Sequence, residues 1–241
     1  MATLITVSRF LLALPACALL LDRTPPSLVW AFMVILLMEL TDLTDGLVAR
    51  RDGGVSDVGK LLDPLVDSLA RFTIFAAFLA MGVMPLWMLL IIFYRDMVVS
   101  YMRSMAATQG VVMMARSSGK AKALVQGAGI ELVVLLLLVQ GLAAAGDRTG
   151  PFDFFAPVVV CTIVALAFLA GLRVWSRELW LVLGGSVVAI GALVAVWVAR
   201  PAVPFLDDLI YWTLGAVALT TAGSLIDYGR GLAQIVTRRK R

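Results

Sequence analysis

The chain has 241 residues, 61% of them from the set A, V, I, L, M, F, W, Y and C and only 15% charged, with 20 Lys and Arg against 16 Asp and Glu and no His. Soluble domains run at about 45–50% apolar and about 25% charged. A fold of this length has no interior for so much apolar surface, which excludes the soluble, fibrous and disordered classes. With no imidazole, and with Cys17 and Cys161 each alone in an apolar run, disulfide scaffolds and Cys-type zinc sites are excluded and any acid–base or metal chemistry falls to the carboxylates.

A bilayer core about 30 Å thick takes roughly 20 apolar residues per helix. That measure predicts eight membrane helices in turn, at about 4–21, 28–49, 63–83, 86–104, 124–145, 153–172, 179–199 and 209–232, so the fold class is all-α integral membrane. The first carries Arg9 inside its apolar run and no basic stretch before it, so it reads as a helix of the mature protein rather than a signal peptide. With the N-terminus in the cytoplasm, the outer loops hold only Arg23, Arg148 and Arg200, while the remaining Lys and Arg residues lie on the cytoplasmic side or lead to it, ending in the tail Arg238-Arg239-Lys240-Arg241. This asymmetry predicts cytoplasmic termini and a multi-pass protein of the cell (inner) membrane. The net charge of +4 then reflects topology and contact with anionic headgroups, and speaks against nucleic acid.

The pattern breaks between the second and third elements. Residues 39–67 hold seven of the 16 acids: Glu39, Asp42, Asp45, Asp52, Asp57, Asp63 and Asp67. An aspartate at the bilayer centre costs about 2.5–3.5 kcal/mol. Asp42 and Asp45 instead fall in the last turns of one helix and Asp63 and Asp67 in the first turns of the next, at cytoplasmic ends that water reaches, with Gly53-Gly54 as the turn. Each pair shares a helical face, at i, i+3 and i, i+4. Helices joined by so short a loop are expected to be antiparallel neighbours, which brings four carboxylates together. Like charges so placed need protons or a cation, and an all-oxygen donor set favours Mg2+, Mn2+ or Ca2+ over zinc; the first two commonly work on phosphate-bearing ligands, which makes a diphosphate the natural partner. Gly46, Ala49 and Gly59 either leave room for a bulky ligand or let the two helices pack closely. Arg50 is placed to pair with a phosphate oxygen. Asp63-Pro64 reads either as an N-cap with Pro at N1 or as a kink in a helix begun near Gly59. Asp52 and Asp57 read as loop charges.

The run Asp42-x-x-Asp45-Gly46-x-x-Ala49-Arg50, eight residues, then Gly59-x-x-x-Asp63-x-x-x-Asp67 resembles, at every fixed position, the CDP-alcohol phosphotransferase signature D-x-x-D-G-x-x-A-R-x8-G-x-x-x-D-x-x-x-D. The resemblance implies a membrane enzyme that moves a phosphatidyl group from CDP-diacylglycerol to an alcohol and releases CMP, its active site facing the cytoplasm. It implies that Asp42, Asp45, Asp63 and Asp67 hold one or two divalent ions, Mg2+ or Mn2+, that Asp67 is the base for the attacking hydroxyl, and that Gly46, Ala49, Arg50 and Gly59 line the cytidine diphosphate pocket. Thr6-x-x-Arg9 is similar to the T-x-x-R that opens the first helix in such enzymes, on the CDP side.

Two later segments, Arg95-Asp96 with Arg103, and Ser118-Gly119-Lys120-Ala121-Lys122-Ala123-x-x-Gln126, resemble bacterial phosphatidylglycerophosphate synthases. Arg95, Arg103, Arg116, Lys120 and Lys122 form a basic cluster suited to a phosphorylated acceptor such as glycerol 3-phosphate. The chain departs from that pattern at Ala2-Thr3, where Pro-Asn is usual, at Ser68, where Lys often follows the last aspartate, and at Ala123, where Thr recurs. The resemblance implies a six-helix core and a homodimer. The core would comprise the catalytic segment 1–145 and the last helix with its basic tail in 206–241, and 146–205 would be an inserted two-helix hairpin. Inositol phosphate, inositol or serine are the alternative acceptors; an ion transporter or an inactive scaffold are the alternatives of another class.

Overall fold

The computed structural model describes residues 2–51, 57–108, 117–145 and 203–239, with side chains described for 8–39, 41, 65–103, 119, 122–143, 205–226, 228 and 229. The described residues form the α-helices α1 (Ala2–Asp22), α2 (Pro25–Arg51), α3 (Asp57–Ala80), α4 (Leu86–Thr108), α5 (Ser117–Ala145) and α6 (Val203–Arg239), with short turns between α1 and α2 and between α3 and α4. These correspond to the first five predicted elements and the last. The predicted helices at about 153–172 and 179–199 lie outside the described residues. Because α3 begins at Asp57, Asp63-Pro64 falls inside a helix already under way, and the N-cap reading is set aside.

The turns explain the helix ends. Thr24 caps α2: its Oγ1 accepts from the Ser27 amide at 3.4 Å and its carbonyl from Leu28 at 2.9 Å, with Pro25 at the first helical position, where its missing N–H is no loss. Arg23, between α1 and α2, takes φ of 57°, and its guanidinium donates to the Met81 carbonyl at the end of α3. Gly82 closes α3 at φ of 76°, with Gly82 N bonded to Leu79 O at 2.9 Å and Val83 N to Phe78 O at 3.1 Å, the paired bonds of a Schellman stop.

The helices close into a ring. α1 packs on α2 and α3, α2 on α5, α5 on α6, α6 on α4, and α4 back on α3. Among the described residues α1 packs broadly on both α2 and α3, a small cluster of Ala13, Met38 and Ala70 joins the three, and α2 meets α3 directly through the Glu39–Arg71 ion pair. The short Ala13 and Ala70 side chains let α1 come close to its two neighbours. The main core runs through Phe75, Phe78, Met84, Met88, Leu136 and Leu214.

Among the described residues, Lys122–Ala143 and Phe205–Ile226 are long and apolar enough to cross a membrane, and Pro25–Glu39 is a shorter apolar stretch. Large apolar side chains face outward on several helices, with Trp30, Tyr101, Trp212 and Leu219 each more than 60% exposed. Such a surface suits lipid and its interface better than water.

Candidate active site

Two clusters of polar groups interrupt this apolar ring. The first lies where α1, α2 and α3 meet. Arg9 of α1, almost wholly buried, donates to Asp67 Oδ1 of α3 and forms a salt bridge with it. Arg71, one turn further along α3, pairs with Glu39 Oε2 of α2 at 3.3 Å. Arg9, Met38, Glu39, Asp67, Ala70 and Arg71 line one small cleft. Glu39 also reaches α5: a Cβ added at Gly127 would stand 3.0 Å from its carboxylate carbon, and Glu131 lies close enough to feel its charge.

The backbone carries the rest of the signature next to this cleft. Asp42, Asp45, Gly46, Ala49 and Arg50 occupy the last turns of α2, and Gly59, Asp63 and Asp67 follow one another at steps of four along α3. The side chains of Thr6, Asp42, Asp45, Ala49, Arg50 and Asp63, and the surroundings of Gly46 and Gly59, lie outside the described residues. Asp67 is the member of the aspartate quartet whose side chain is described, and among the described residues no group of three or more potential ligands assembles.

The second cluster lies where α4, α5 and α6 meet, with Asp96 at its centre. Lys122 Nζ donates to both Asp96 oxygens at 2.8 Å, and Arg95 Nη1 to Oδ1 at 3.0 Å. Arg95 Nε donates to Ser224 Oγ at 2.8 Å, and Gln126 Nε2 to Thr221 Oγ1 at 3.1 Å. Tyr228, with no exposed surface, sits beside two guanidinium groups: Arg95 Cζ lies 5.3 Å and Arg103 Cζ 5.2 Å from its ring centre, and Arg103 donates to its hydroxyl. Burial leaves Arg95 Nη2 and Arg103 Nε without a hydrogen-bond partner among the described residues. Among the described residues Arg95, Arg103 and Lys122 thus gather with Asp96 as the carboxylate, which pairs with Arg95 and Lys122, an arrangement that favours an added anion.

The structure therefore brings Arg95, Arg103 and Lys122 of the predicted basic cluster together, with Lys122 already paired to Asp96. Arg116 and the side chain of Lys120 lie outside the described residues. Sequence reasoning missed Thr221, Ser224 and Tyr228 on α6. Their spacing of three and four within an apolar helix is the one signal that marks a polar inward face. Between α3 and α4, a small, mostly apolar groove runs past Leu69, Phe72 and Phe93 to Ser68, Asp96 and Ser100, next in sequence to Asp67 at one side and part of the second cluster at the other.

The family model for CDP-alcohol phosphatidyltransferase matches residues 1–197, which takes in part of the segment 146–205 as well as the signature. The CDP-diacylglycerol--glycerol-3-phosphate 3-phosphatidyltransferase of Treponema pallidum (strain Nichols) is 31% identical over 144 residues, 57% of this chain and 67% of its own length. A probable phosphatidylglycerophosphate synthase of Mycobacterium tuberculosis (strain ATCC 25618 / H37Rv) is 29% identical over 140 residues, so this chain spans 61% of the length of that relative. The CDP-diacylglycerol--glycerol-3-phosphate 3-phosphatidyltransferase of Bacillus subtilis (strain 168) is 30% identical over 150 residues, 61% of this chain and 72% of its own.

Proposed function

Because this chain belongs to the CDP-alcohol phosphatidyltransferase family of enzymes, we propose that it transfers the phosphatidyl group of CDP-diacylglycerol to glycerol 3-phosphate, giving phosphatidylglycerophosphate and CMP. The observation that carries the acceptor is the cluster of buried Arg95 and Lys122 with part-buried Arg103, for which Asp96 is the one paired carboxylate among the described residues. A phosphate monoester brings about −1.5 to −2 charge at neutral pH, which answers that surplus; an uncharged alcohol does not. The names of the Treponema pallidum and Bacillus subtilis relatives support the same acceptor.

In this reading Asp42, Asp45, Asp63 and Asp67 hold Mg2+ or Mn2+. The donor chemistry fits, since all four are carboxylates and the Asp67 oxygen already engages a cation, the Arg9 guanidinium. When bound, the metal supplies positive charge to the diphosphate oxygens and eases departure of CMP. Gly46, Ala49, Arg50, Gly59, Thr6 and Arg9 surround the cytidine diphosphate, and Arg95, Arg103, Arg116, Lys120 and Lys122 hold the acceptor phosphate. The acceptor hydroxyl oxygen forms a bond to the phosphorus carrying diacylglycerol as the bond from that phosphorus to CMP breaks, and Asp67 takes the hydroxyl proton. Arg9 is then the counter-cation of Asp67 between turnovers.

The same reading makes the chain a multi-pass protein of the cell (inner) membrane with eight helices, 146–205 forming a hairpin, both termini and the site cytoplasmic, and two chains per assembly. The lysine and arginine asymmetry supports the orientation. The test presents purified protein with CDP-diacylglycerol, Mg2+ and, separately, glycerol 3-phosphate, inositol phosphate, inositol and serine, reading CMP release and product mass. Product from glycerol 3-phosphate alone is expected. Product from inositol phosphate instead would replace the acceptor, and ion flux in proteoliposomes without CMP release would replace the reaction class.

A further inference from the structure

We infer that Tyr228 is a positioning residue that sets selectivity for a phosphorylated acceptor by holding the Arg95 and Arg103 guanidinium groups in register. The inference rests on the reading of these two arginines as the acceptor-phosphate site. Arg95 and Arg103 stand two turns apart on α4, each close to the same ring of α6. Two like charges brought together in a buried space repel, and the electron-rich face of an aromatic ring is the neutral group best able to hold both. The Tyr228 hydroxyl accepts one donor of Arg103, while Ser224 and Asp96 take Nε and Nη1 of Arg95. These contacts fix both planes and leave Arg95 Nη2 and Arg103 Nε uncommitted among the described residues. A phosphate has enough acceptor oxygens to take both donors at once.

Gly119 gives independent support. It stands in the Ser118-Gly119-Lys120 run of α5, and a Cβ there would come 2.8 Å from the Tyr228 hydroxyl oxygen. The glycine leaves the space that the hydroxyl fills, so α5 is shaped around that oxygen as well as around the ring. A tyrosine serving only to fill volume would not require it, since the contact is with the polar end of the side chain.

The experiment compares the full-length wild type with Tyr228→Phe and Tyr228→Leu, using CDP-diacylglycerol and Mg2+ with glycerol 3-phosphate or glycerol as acceptor. Arg95→Gln and Arg103→Gln are the reference variants. Tyr228→Leu is expected to raise KM for glycerol 3-phosphate about tenfold or more and to lower the preference for it over glycerol, while KM for CDP-diacylglycerol holds. Tyr228→Phe, which keeps the ring, should give a smaller rise in the same constant. If the arginine variants raise the acceptor KM and the tyrosine variants lower only kcat, Tyr228 is structural and the inference is overturned. If the arginine variants leave the acceptor KM unchanged, the acceptor reading itself fails. Should Tyr228→Leu not fold, Tyr228→Phe decides: an unchanged acceptor KM and preference would overturn the inference.

Discussion

The two polar clusters have opposite charge demands. Where α1, α2 and α3 meet, Asp67 and Glu39 are answered by Arg9 and Arg71, and the sequence adds Asp42, Asp45 and Asp63 along the same helix ends against Arg50. Where α4, α5 and α6 meet, Asp96 is the one carboxylate among the described residues that pairs with the cations Arg95 and Lys122, and Arg103 stands beside Tyr228. Charge surplus in a low-dielectric interior is expensive unless something arrives to balance it, so under the proposed function the first cluster would take a cation and the second an anion. They adjoin: Arg71 of the first is near enough to Lys122 of the second for their charges to repel, and Glu39 lies against Gly127 of α5. Under the proposed function, a metal-bound diphosphate and a phosphorylated alcohol would meet across two pockets of opposite sign that share a wall.

The most damaging test of this division is at its acidic end. Asp67→Asn should lower kcat about 10²- to 10⁴-fold while Mg2+ still binds, read from CMP release and from metal titration of the purified protein. Turnover that survives would remove Asp67 as the base and leave it as a ligand or a partner of Arg9. At the basic end, Asp96→Asn removes the carboxylate that pairs with Arg95 and Lys122. Breaking a buried ion pair this way costs about 3–5 kcal/mol, so the variant should melt well below the wild type in detergent. Saturating glycerol 3-phosphate should restore part of the loss, because a ligand at about 100 times its Kd stabilises by about 2.7 kcal/mol. Equal rescue by glycerol would mean that the cluster is not an anion site.

Much of this was legible in the chain itself, and the limits have physical causes. Six of the predicted helices could be read because apolar length is a local property, and the aspartate register could be read because helical spacing fixes which residues share a face. Pairings between helices are different. Arg9 and Asp67 are 58 residues apart, and nothing local to either names the other. Helices that are apolar all round carry little sign of which face turns inward, so the broad packing of α1 on both α2 and α3 was hidden. Tyr228 escaped for a related reason: an uncharged aromatic in such a helix looks like lipid-facing surface until two arginines are found beside its ring.

The two halves of the ring must also be held together, and α5 against α6 is a close seam. A Cβ at Gly129 would run into Cγ2 of Val217, a branched side chain with few alternatives inside a helix. Gly129→Ala should therefore destabilise by about 1–3 kcal/mol, seen as a lower Tm. Val217→Ala in the same chain should recover most of it, a coupling that a double-mutant cycle measures. Recovery would show that the seam fails by local overlap; none would mean that the glycine matters for another reason, and that the basic cluster does not depend on this approach.

The smallest effect belongs to the turn between α1 and α2, which touches neither cluster and so serves as their control. Asp22 is fully exposed, and hydrogen bonds from Ser27 and then from Thr24 hold its carboxyl below the usual range. A carboxyl with a lowered folded pKa contributes stability that is complete above its unfolded value of about 3.9 and disappears as pH falls through the folded one. Asp22→Asn cannot titrate, so the wild type should melt slightly higher than this variant near neutral pH, and the gap should close in acid. Because every other carboxylate is common to both proteins, their titration cancels in the difference. Activity should be the same in both, since the turn lies at the far end of α1 from the Arg9–Asp67 pair; a loss of acceptor affinity in Asp22→Asn would mean that the turn sets the position of α1, and with it the balance between the two clusters.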